Sequence, residues 1–385
     1  MREGWEYKRL GELCDIVMGQ SPMGNSINEN NGIEFHQGKT NFGDKFLMES
    51  GIYTTSPIRI AEKKTILLCV RAPVGIINIT ERQVCIGRGL SSLKPRLGLE
   101  LLYLYYCLLS KQNYFESNST GSTFKAISSK VINNTIIQFP SKSTQLSIVS
   151  ELDKLNELIR IKKEQLKDYD TLAQSIFYEM FGDPVENEKG WKVKKLGELC
   201  SKIGSGATPR GGNESYKDEG ISLIRSLNVY NNEFRRKDLA YIDDEQAAAL
   251  SNVTILEDDV LLNITGASVA RCCIVPSDLL PARVNQHVCI IRPLDNVLVP
   301  IFLNKVLTNI SYQIRLLALA RSKGATREAL PKSVVDSLLI PLPPLSLQHS
   351  FAQKIEQIEQ QKAAIQKTIT DLETLLAARI QYWFD

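Results

Sequence analysis

Residues 4–14 read GWEYKRLGELC, and residues 190–200 read GWKVKKLGELC. Two stretches that agree at so many positions, in the same order and with no gap, are not a chance match. Self-similarity of this kind is the mark of an internal repeat. The two stretches therefore indicate that one structural unit occurs twice in the chain.

Further matches follow in the same order along both halves. Gly19 and Pro22 correspond to Gly206 and Pro209, and Leu67-Leu68 corresponds to Leu261-Leu262. Near the end of each half, Ser119-x-Gly121-x-Thr123 returns as Ser322-x-Gly324-x-Thr326, and the spacing is then kept to the C-terminal segment. The sequence predicts a tandem duplication of roughly 190–200 residues per copy.

Each copy is predicted to be an α+β domain followed by a long helix. Short β-rich runs alternate with turns containing Gly, Asn or Pro, at Lys64–Val70, Gly75–Thr80, Val260–Ile264 and His287–Arg292. An apolar helix is expected late in each domain, at Leu99–Leu109 and Pro300–Leu319. The predicted segments are a first domain at 1–143, a first helix at 144–182, a second domain at 183–346 and a second helix at 347–385.

The two helical segments contain neither Gly nor Pro between Gln145 and Phe181 or between Gln348 and Phe384. Their apolar residues recur in steps of three and four, which is the period of a coiled-coil seam. The first seam consists of Ile148, Leu152, Leu155, Ile159, Leu166, Tyr169, Ala173, Ile176 and Met180. The second consists of Phe351, Ile355, Ile358, Ile365, Ile369, Leu372, Leu376 and Trp383. The second domain lies between the C-terminal end of the first helix and the N-terminal end of the second. With short connections at both places, the paired helices must run in opposite directions, so an antiparallel coiled coil is predicted.

Composition and charge are those of an ordinary globular protein. The chain has 385 residues, of which 43% are hydrophobic and 23% charged, and its net charge is +3. No apolar run is long enough to span a membrane, and no secretory signal is visible. The eight cysteines form no Cys-x-x-Cys pair, so reduced thiols and a cytoplasmic location are expected.

Two similar domains held at a fixed spacing suit recognition of a split DNA site, because half-site spacing mirrors the geometry of the protein. Differences between the two domains then predict an asymmetric target.

The residues also resemble a known family. The first domain contains Val70-Arg71-Ala72-Pro73-Val74-Gly75 and Ile86-Gly87-Arg88-Gly89-Leu90, and the second contains Asn263-Ile264-Thr265-Gly266-Ala267-Ser268 and Asn285-Gln286-His287-Val288. Leu342-Pro343-Pro344-Leu345-x-x-Gln348 resembles the entry into a conserved spacer helix; in the first copy only Pro140 and Gln145 are retained. Over its whole length the chain is similar to the specificity subunit of type I restriction–modification systems.

The resemblance implies a division of labour between subunits. This chain would bind double-stranded DNA through two target recognition domains and position the other subunits on it. Two modification subunits would carry S-adenosylmethionine and methylate adenine, and restriction subunits would translocate and cleave DNA. The chain itself is expected to hold no cofactor and no metal, to be non-catalytic and to have no membrane partner. The alternative is a duplicated assembly adaptor that does not bind DNA.

The residues agree with a non-catalytic chain. No Asn/Asp-Pro-Pro-Tyr/Phe motif of an adenine methyltransferase is present, and Gly204-Ser205-Gly206-Ala207 is not followed by the Gly-Lys-Ser/Thr of a P-loop. Asp44, Glu62 and Lys64 match a nuclease triad only loosely. The three histidines have no metal-ligand spacing.

Loop residues with basic or amide side chains are the DNA-contact candidates. Arg and Lys bind phosphates, Arg also reads guanine, and Asn or Gln can read adenine. The candidates are Arg71, Arg88, Lys125, Arg210, Arg225, Asn228, Arg271, Asn285, Gln286, Arg321, Lys323 and Arg327. Arg71 and Arg88 have a second interpretation as structural braces, because they fall in motifs shared by the family.

Aromatic and apolar residues cluster at the C-terminal end of each long helix. They are Tyr178, Met180, Phe181, Tyr382, Trp383 and Phe384. They are interpreted either as a surface for other subunits or as residues that seal the helices against a domain.

Overall fold

The chain folds into two units, and each takes residues from both copies of the repeat. The computed structural model describes residues 4–121, 125–321 and 328–385. The first unit comprises Met1–Glu164 with Gln366–Asp385, and the second comprises Gln165–Ile365.

The first unit has eleven strands among the residues that the structure describes: β1 (Glu6–Arg9), β2 (Cys14–Met18), β3 (Ile27–Asn28), β4 (Ile33–His36), β5 (Tyr53–Thr54), β6 (Ile60–Ala61), β7 (Thr65–Cys69), β8 (Ile77–Thr80), β9 (Val84–Ile86), β10 (Leu90–Pro95) and β11 (Ile136–Phe139). Its helices are α1 (Leu10–Leu13), α2 (Leu101–Ser110), α3 (Gln112–Ser117) and α4 (Ser129–Asn134), followed by α5 (Lys142–Phe181), which continues into the second unit.

The described part of the second unit likewise has eleven strands: β12 (Lys192–Lys195), β13 (Cys200–Ser205), β14 (Ile221–Ile224), β15 (Val229–Tyr230), β16 (Glu233–Phe234), β17 (Ala240–Ile242), β18 (Val260–Asn263), β19 (Cys272–Ile274), β20 (Ala282–Val284), β21 (Val288–Pro293) and β22 (Leu339–Leu342). Its helices are α6 (Asp244–Ala249), α7 (Pro300–Thr308), α8 (Ile310–Arg321) and α9 (Lys332–Asp336), followed by α10 (Leu345–Phe384), which ends in the first unit.

Matching sheets confirm the duplication. Each unit has an antiparallel four-stranded sheet, in the order β2-β10-β7-β8 in the first and β13-β21-β18-β19 in the second. Each also has a two-stranded pair, β1-β11 and β12-β22. The remaining sheets differ, because β3-β5-β4-β9-β6 has five strands and β17-β14-β20 has three. The copies therefore share a central sheet and differ around it.

The helix predicted at Pro300–Leu319 is two helices, which corrects that part of the sequence analysis. Asn309, between α7 and α8, has an extended backbone with φ −62° and ψ 142°. Its side-chain Oδ1 accepts the Ser311 N–H at 2.9 Å, which caps the start of α8.

The predicted coiled-coil seams are confirmed, because the residues of both seams are buried or half-buried. Within the first unit, Arg379 is paired with Glu151, and Lys163 Nζ lies 2.7 Å from Glu373 Oε1. Within the second unit, Lys362 Nζ lies 2.8 Å from Asp170 Oδ1. In the second unit the Phe351 ring also packs on Phe177 and Phe181 of α5. In each unit, contacts at higher residue numbers in α5 are made with lower residue numbers in α10, so the paired segments are antiparallel.

One buried glutamine ties each long helix to its domain. Gln145 Oε1 accepts the Glu100 N–H at 2.9 Å, and its Nε2 donates to the carbonyls of Gly98 and Pro140, both at 3.0 Å. Gln348 repeats this arrangement, since its Oε1 accepts the Val299 N–H at 2.9 Å and its Nε2 donates to Pro343 O at 2.9 Å. An amide is required at both places because the same side chain must accept and donate.

All eight cysteines are free thiols, and seven of them are buried. Burial raises the pKa of Cys107 to about 12, so this thiol stays protonated at neutral pH. Among the described helices, none is long and apolar enough to cross a membrane.

Candidate nucleic-acid interface

The end of the central sheet has the same backbone hydrogen bonds in both units. In the first unit, Val70 N–H donates to Gly89 O at 2.9 Å, and Val70 O accepts from Ile127 N–H at 3.0 Å. In the second unit, Ile264 N–H donates to His287 O at 3.0 Å, and Ile264 O accepts from Leu330 N–H at 2.8 Å. These bonds join three separate chain segments beyond β7 and β18.

The turn that leads into the next central strand is also held in the same way. Gly87 N–H donates to His36 O at 2.8 Å, and Asn285 N–H donates to Ile224 O at 2.9 Å. The matched bonds establish which positions correspond. Arg71 corresponds to Thr265, Arg88 to Gln286, and Gly89 to His287.

In the first unit these segments enclose a basic cleft, called here the first-unit cleft. It has a volume of about 240 Å³ and is lined by Gln37, Gly38, Lys39, Cys69, Arg71, Ala72, Pro73, Arg88 and Gly89. Lys39, Arg71 and Arg88 are exposed, and none of them takes part in an ion pair among the described residues. Three cations without a carboxylate partner on one concave surface are suited to phosphate and guanine contacts.

Lys125 lies beside this cleft but does not line it. Its carbonyl accepts the Ala72 N–H at 3.1 Å, which ties the segment after Val70 to the stretch that precedes α4. The Lys125 side chain is exposed. Its predicted DNA contact remains a prediction.

A buried carboxylate holds the strand that leads into the first-unit cleft. Glu34, on β4, has 8% of its side chain exposed and accepts from Arg82 Nε at 2.6 Å, from Ser50 N–H at 2.7 Å and from His36 Nε2 at 2.9 Å. Burial raises the pKa of the Glu34 carboxyl, but the bonds from Arg82 and Ser50 and the charge of His36 outweigh it and lower the pKa to about 2. The network fixes β4, whose last residue leads into Gln37 and Lys39.

Replacing Glu34 with Gln is expected to lower the free energy of unfolding by roughly 2–3 kcal/mol at pH 7. The folded state lowers the pKa of Glu34 from 4.5 to about 2, so its contribution is present above pH 4.5 and is lost as the pH falls towards 2. Urea unfolding at pH 7 and at pH 3 should therefore show a large loss at pH 7 and a smaller loss at pH 3. Glu81→Gln, an exposed neighbour of Arg82, is the control, and an equal loss at both pH values would contradict the assignment.

The second unit has a larger cleft at the corresponding place, called here the second-unit cleft. Its volume is about 560 Å³ and its lining residues are Ser226, Leu227, Tyr230, Thr265, Gly266, Ala267, Ser268, Arg271, His287, Glu328 and Ala329. The Arg271 guanidinium lies 4.3 Å from the centroid of the Tyr230 ring, and that of Arg235 lies 3.6 Å from it. This surface is mixed and hydroxyl-rich, whereas the first-unit cleft is cationic.

Of the residues predicted in the second unit, Arg271 lies in this cleft. Arg321 contacts it indirectly, because its Nε lies 2.7 Å from Oε1 of the lining residue Glu328. Gln286 and Arg210 are exposed but do not line the cleft. Arg225 is held by a bond to Asp238 O and by the Tyr216 ring, 5.4 Å away. Lys323 and Arg327 lie outside the described residues.

Asn228, predicted to read an adenine edge, is a structural residue instead, which corrects that prediction. Asn228 is 0% exposed, and its amide bonds to Arg225 N–H and to the carbonyls of Arg235 and Lys237. Asn285 is 6% exposed, and its Oδ1 accepts the His287 N–H at 3.1 Å. The Asn228 amide is used within the fold. A base contact by the amide nitrogen of Asn285 remains a prediction.

The predicted subunit interface is corrected in the same way at two positions. Phe181 is 3% exposed in the core of the second unit, and Phe384 is 0% exposed in the core of the first. Tyr178 and Met180 are half-buried, and Trp383 is bonded to Glu151 and stacked on Trp5. Tyr382 is 56% exposed. For these four residues a subunit contact remains a prediction.

Four cleft residues were not predicted from the sequence: Gln37 and Lys39 in the first-unit cleft, and Thr265 and His287 in the second-unit cleft. No local signal singles out Lys39 among the exposed lysines. Thr265 and His287 could have been found, because they fall in the second-copy motifs that correspond to Val70-Arg71 and Gly87-Arg88-Gly89. The repeat itself was the signal.

Two relatives of known class are similar to parts of the chain. The putative type I restriction enzyme MjaX specificity subunit of Methanocaldococcus jannaschii is 34% identical over 178 residues, covering 45% of this chain and 42% of the relative. The type I restriction enzyme MjaIX specificity subunit of the same organism is 28% identical over 236 residues, covering 53% of each. The chain thus spans about half the length of these relatives.

Solved structures share the whole fold. The S subunit of a type I restriction–modification system from M. genitalium matches 99% of this chain and 96% of its own, with a TM-score of 0.54 and 17% identity. A chain from work on complex assembly and conformational transition of the type I R-M system matches with a TM-score of 0.66 and 19% identity, covering 100% of this chain and 98% of its own.

The family comparison covers most of the sequence. The model described as "Type I restriction modification DNA specificity domain" matches residues 2–168 and again residues 188–374. The two matches coincide with the two copies found in the sequence and with the two corresponding central sheets. The chain therefore belongs to the family of type I restriction modification DNA specificity domains and carries that domain twice.

Proposed function

We propose that this chain is the DNA-sequence-specificity subunit of a type I restriction–modification complex. It binds an asymmetric, bipartite site on double-stranded DNA, with one half-site for each unit. Two modification subunits, which carry S-adenosylmethionine and methylate adenine, and restriction subunits, which translocate and cleave DNA, assemble on it in the cytoplasm.

The observation that carries this proposal is that the two clefts share a backbone arrangement, called here the frame, but differ in the residues at corresponding positions. The same backbone hydrogen bonds hold the clefts of both units. The corresponding positions nevertheless carry Arg71 and Thr265, Arg88 and Gln286, and Gly89 and His287. A frame that is kept while its exposed side chains differ is what two readers of unlike half-sites require, because base edges are distinguished by the donors and acceptors that face them.

The charge of the first-unit cleft supports a nucleic-acid ligand. Lys39, Arg71 and Arg88 would meet phosphates, which supply most of the salt-dependent affinity of a DNA-binding protein. Family membership supports the same class of ligand, since the matching domain is described as a DNA specificity domain.

We assign no catalytic step and no cofactor to this chain. Its exposed polar residues serve binding, and methyl transfer and cleavage belong to the partner subunits. Tyr178, Met180, Tyr382 and Trp383 are the proposed contributors to contacts with those subunits.

Methylome sequencing of cells that express the chain with its modification subunits tests the proposal. The expected result is adenine methylation at one split, non-palindromic motif, which disappears when the gene for this chain is deleted. Gel-shift assays with the purified complex should then show preference for DNA bearing both half-sites. Salt-sensitive binding with no sequence preference would favour an assembly adaptor and overturn the proposal. Methyl transfer by this polypeptide alone would overturn its non-catalytic part.

A further inference from the structure

His287 is held rigidly although it is exposed. Its backbone N–H donates to Asn285 Oδ1 at 3.1 Å, and its ring Nδ1 lies 2.7 Å from Thr265 Oγ1. Both bonds lie within the second unit. An exposed imidazole fixed at the backbone and at one ring nitrogen has its rotamer set before any ligand arrives, which reduces the entropy that binding must remove.

The second ring nitrogen is left for a ligand. No hydrogen bond of the described residues uses His287 Nε2. Either atom of this pair can be the donor, depending on the tautomer of the ring. When the Thr265 hydroxyl donates to Nδ1, the neutral ring carries its proton on Nε2. In that tautomer His287 presents one N–H donor to the second-unit cleft.

The surroundings of this donor suit the edge of a DNA duplex. Ser226 and Ser268 line the same cleft with hydroxyl groups, and Arg271 is braced on the Tyr230 ring. A fixed cation beside a fixed hydrogen-bond donor can bind a phosphate and a base edge of one nucleotide step. In the major groove the acceptors that face such a donor are N7 of a purine and O6 of guanine.

The first unit cannot place a side chain at the corresponding position. A Cβ atom added to Gly89 would lie 2.4 Å from the carbonyl oxygen of Gln37, a distance that no relaxed Cβ adopts. The second unit has space at this point and fills it with an imidazole. The two units therefore differ at this point in the path of the backbone as well as in the residue type, and a substitution of Gly89 alone would not remove the difference.

We infer that His287 is a specificity-determining residue of the second unit, donating from Nε2 to a purine acceptor in its half-site. Thr265 acts as the positioning residue for the ring, and Arg271 binds the adjacent phosphate. This inference rests on the proposed function and adds to it one contact at one base pair.

The test uses the complete complex of this chain with its modification subunits and the bipartite motif found by methylome sequencing. Affinity is measured for the parent motif and for duplexes in which each base pair of both half-sites is replaced in turn. His287→Ala is expected to reduce discrimination by about tenfold at one purine position of the second half-site and to leave the first half-site unchanged. His349→Ala, which removes an exposed histidine on α10, should leave both half-sites unchanged.

Variants of Thr265 test the positioning role. Thr265→Val keeps the shape but removes the hydroxyl, so it should lower discrimination at the same base pair by a smaller factor, and Thr265→Ser should restore it. Equal loss of affinity for all duplexes, or unchanged discrimination at every position, would overturn the inference. A parent complex without any sequence preference would instead overturn the proposed function. Thermal unfolding of each variant shows whether the fold has been kept.

Discussion

The double variant Arg71→Gln, Arg88→Gln is expected to bind specific DNA about a hundredfold more weakly than the parent chain. Both side chains are exposed in the first-unit cleft and lack an ion-pair partner among the described residues, so their charges are available to phosphates or to guanine. Each phosphate contact that the double variant removes should also reduce the slope of log affinity against log salt concentration by about 0.9. Gel shifts over a salt series measure both quantities.

Arg96→Gln is the matched control for this prediction. Arg96 follows the opposite end of β10 from Arg88, and its guanidinium is paired with Asp15 at 2.8 Å. Its replacement should leave the salt slope unchanged. If the double variant bound as tightly as the parent while melting at a lower temperature, Arg71 and Arg88 would be structural braces and not DNA contacts.

Phe351→Ala is expected to have the largest effect on stability, lowering the free energy of unfolding by about 3–5 kcal/mol. Phe351 is 0% exposed, and its ring centroid lies 5.2 Å from that of Phe181 and 5.7 Å from that of Phe177. The substitution empties the centre of an aromatic cluster in which α5 and α10 meet within the second unit. Both the transfer of the ring to water and the remaining cavity contribute to the loss.

Urea unfolding followed by circular dichroism measures this loss, and Leu172→Ala provides the comparison. Leu172 lies on α5, within the second unit, but is 46% exposed, so its truncation should change stability by less than about 0.5 kcal/mol. Similar losses for Phe351→Ala and Leu172→Ala would show that the cluster contributes little beyond ordinary surface packing.

The features that the sequence predicted correctly are those with a local or repeated signal. The seams of α5 and α10 follow from a period of three and four residues, which any stretch of the chain displays by itself. The duplication of the β-rich domain follows from motifs that return in the same order. A pattern that needs only neighbouring residues, or a second copy for comparison, can be recognised without coordinates.

The features that were missed depend on distant chain segments. The parallel pairing of β4 with β9 joins Phe35 to Cys85, and nothing near either residue indicates the other. Asn228 has the residue type of a DNA contact, but the carbonyls of Arg235 and Lys237 occupy its amide. The break at Asn309 is the local exception: its side chain accepts the N–H of Ser311, two residues later, and the apolar pattern of the segment does not reveal this bond.

The residues of the candidate site likewise divide into those that the sequence predicted and those that it did not. Arg71, Arg88 and Arg271 were found because guanidinium groups in loops suggest DNA contacts, and the structure places them in clefts. Lys39 was missed because it enters the first-unit cleft through a turn held by His36 and Gly87, and a lysine in a turn is otherwise ordinary. Residue chemistry predicts what a side chain can bind, whereas long-range pairing decides whether it reaches the ligand.

Gly89 has a consequence for how proteins of this kind could evolve new targets. Any substitution there would drive a Cβ atom into the Gln37 main chain. Single mutations at Gly89 are therefore not tolerated unless the turn first changes its conformation. Position 287 already bears a side chain, so drift can exchange its residue type in single steps. Selection for altered DNA preference should therefore yield point variants more readily in the second unit, whereas the first should change by exchange of whole segments. Deep mutational scanning of both positions would record this as unequal tolerance.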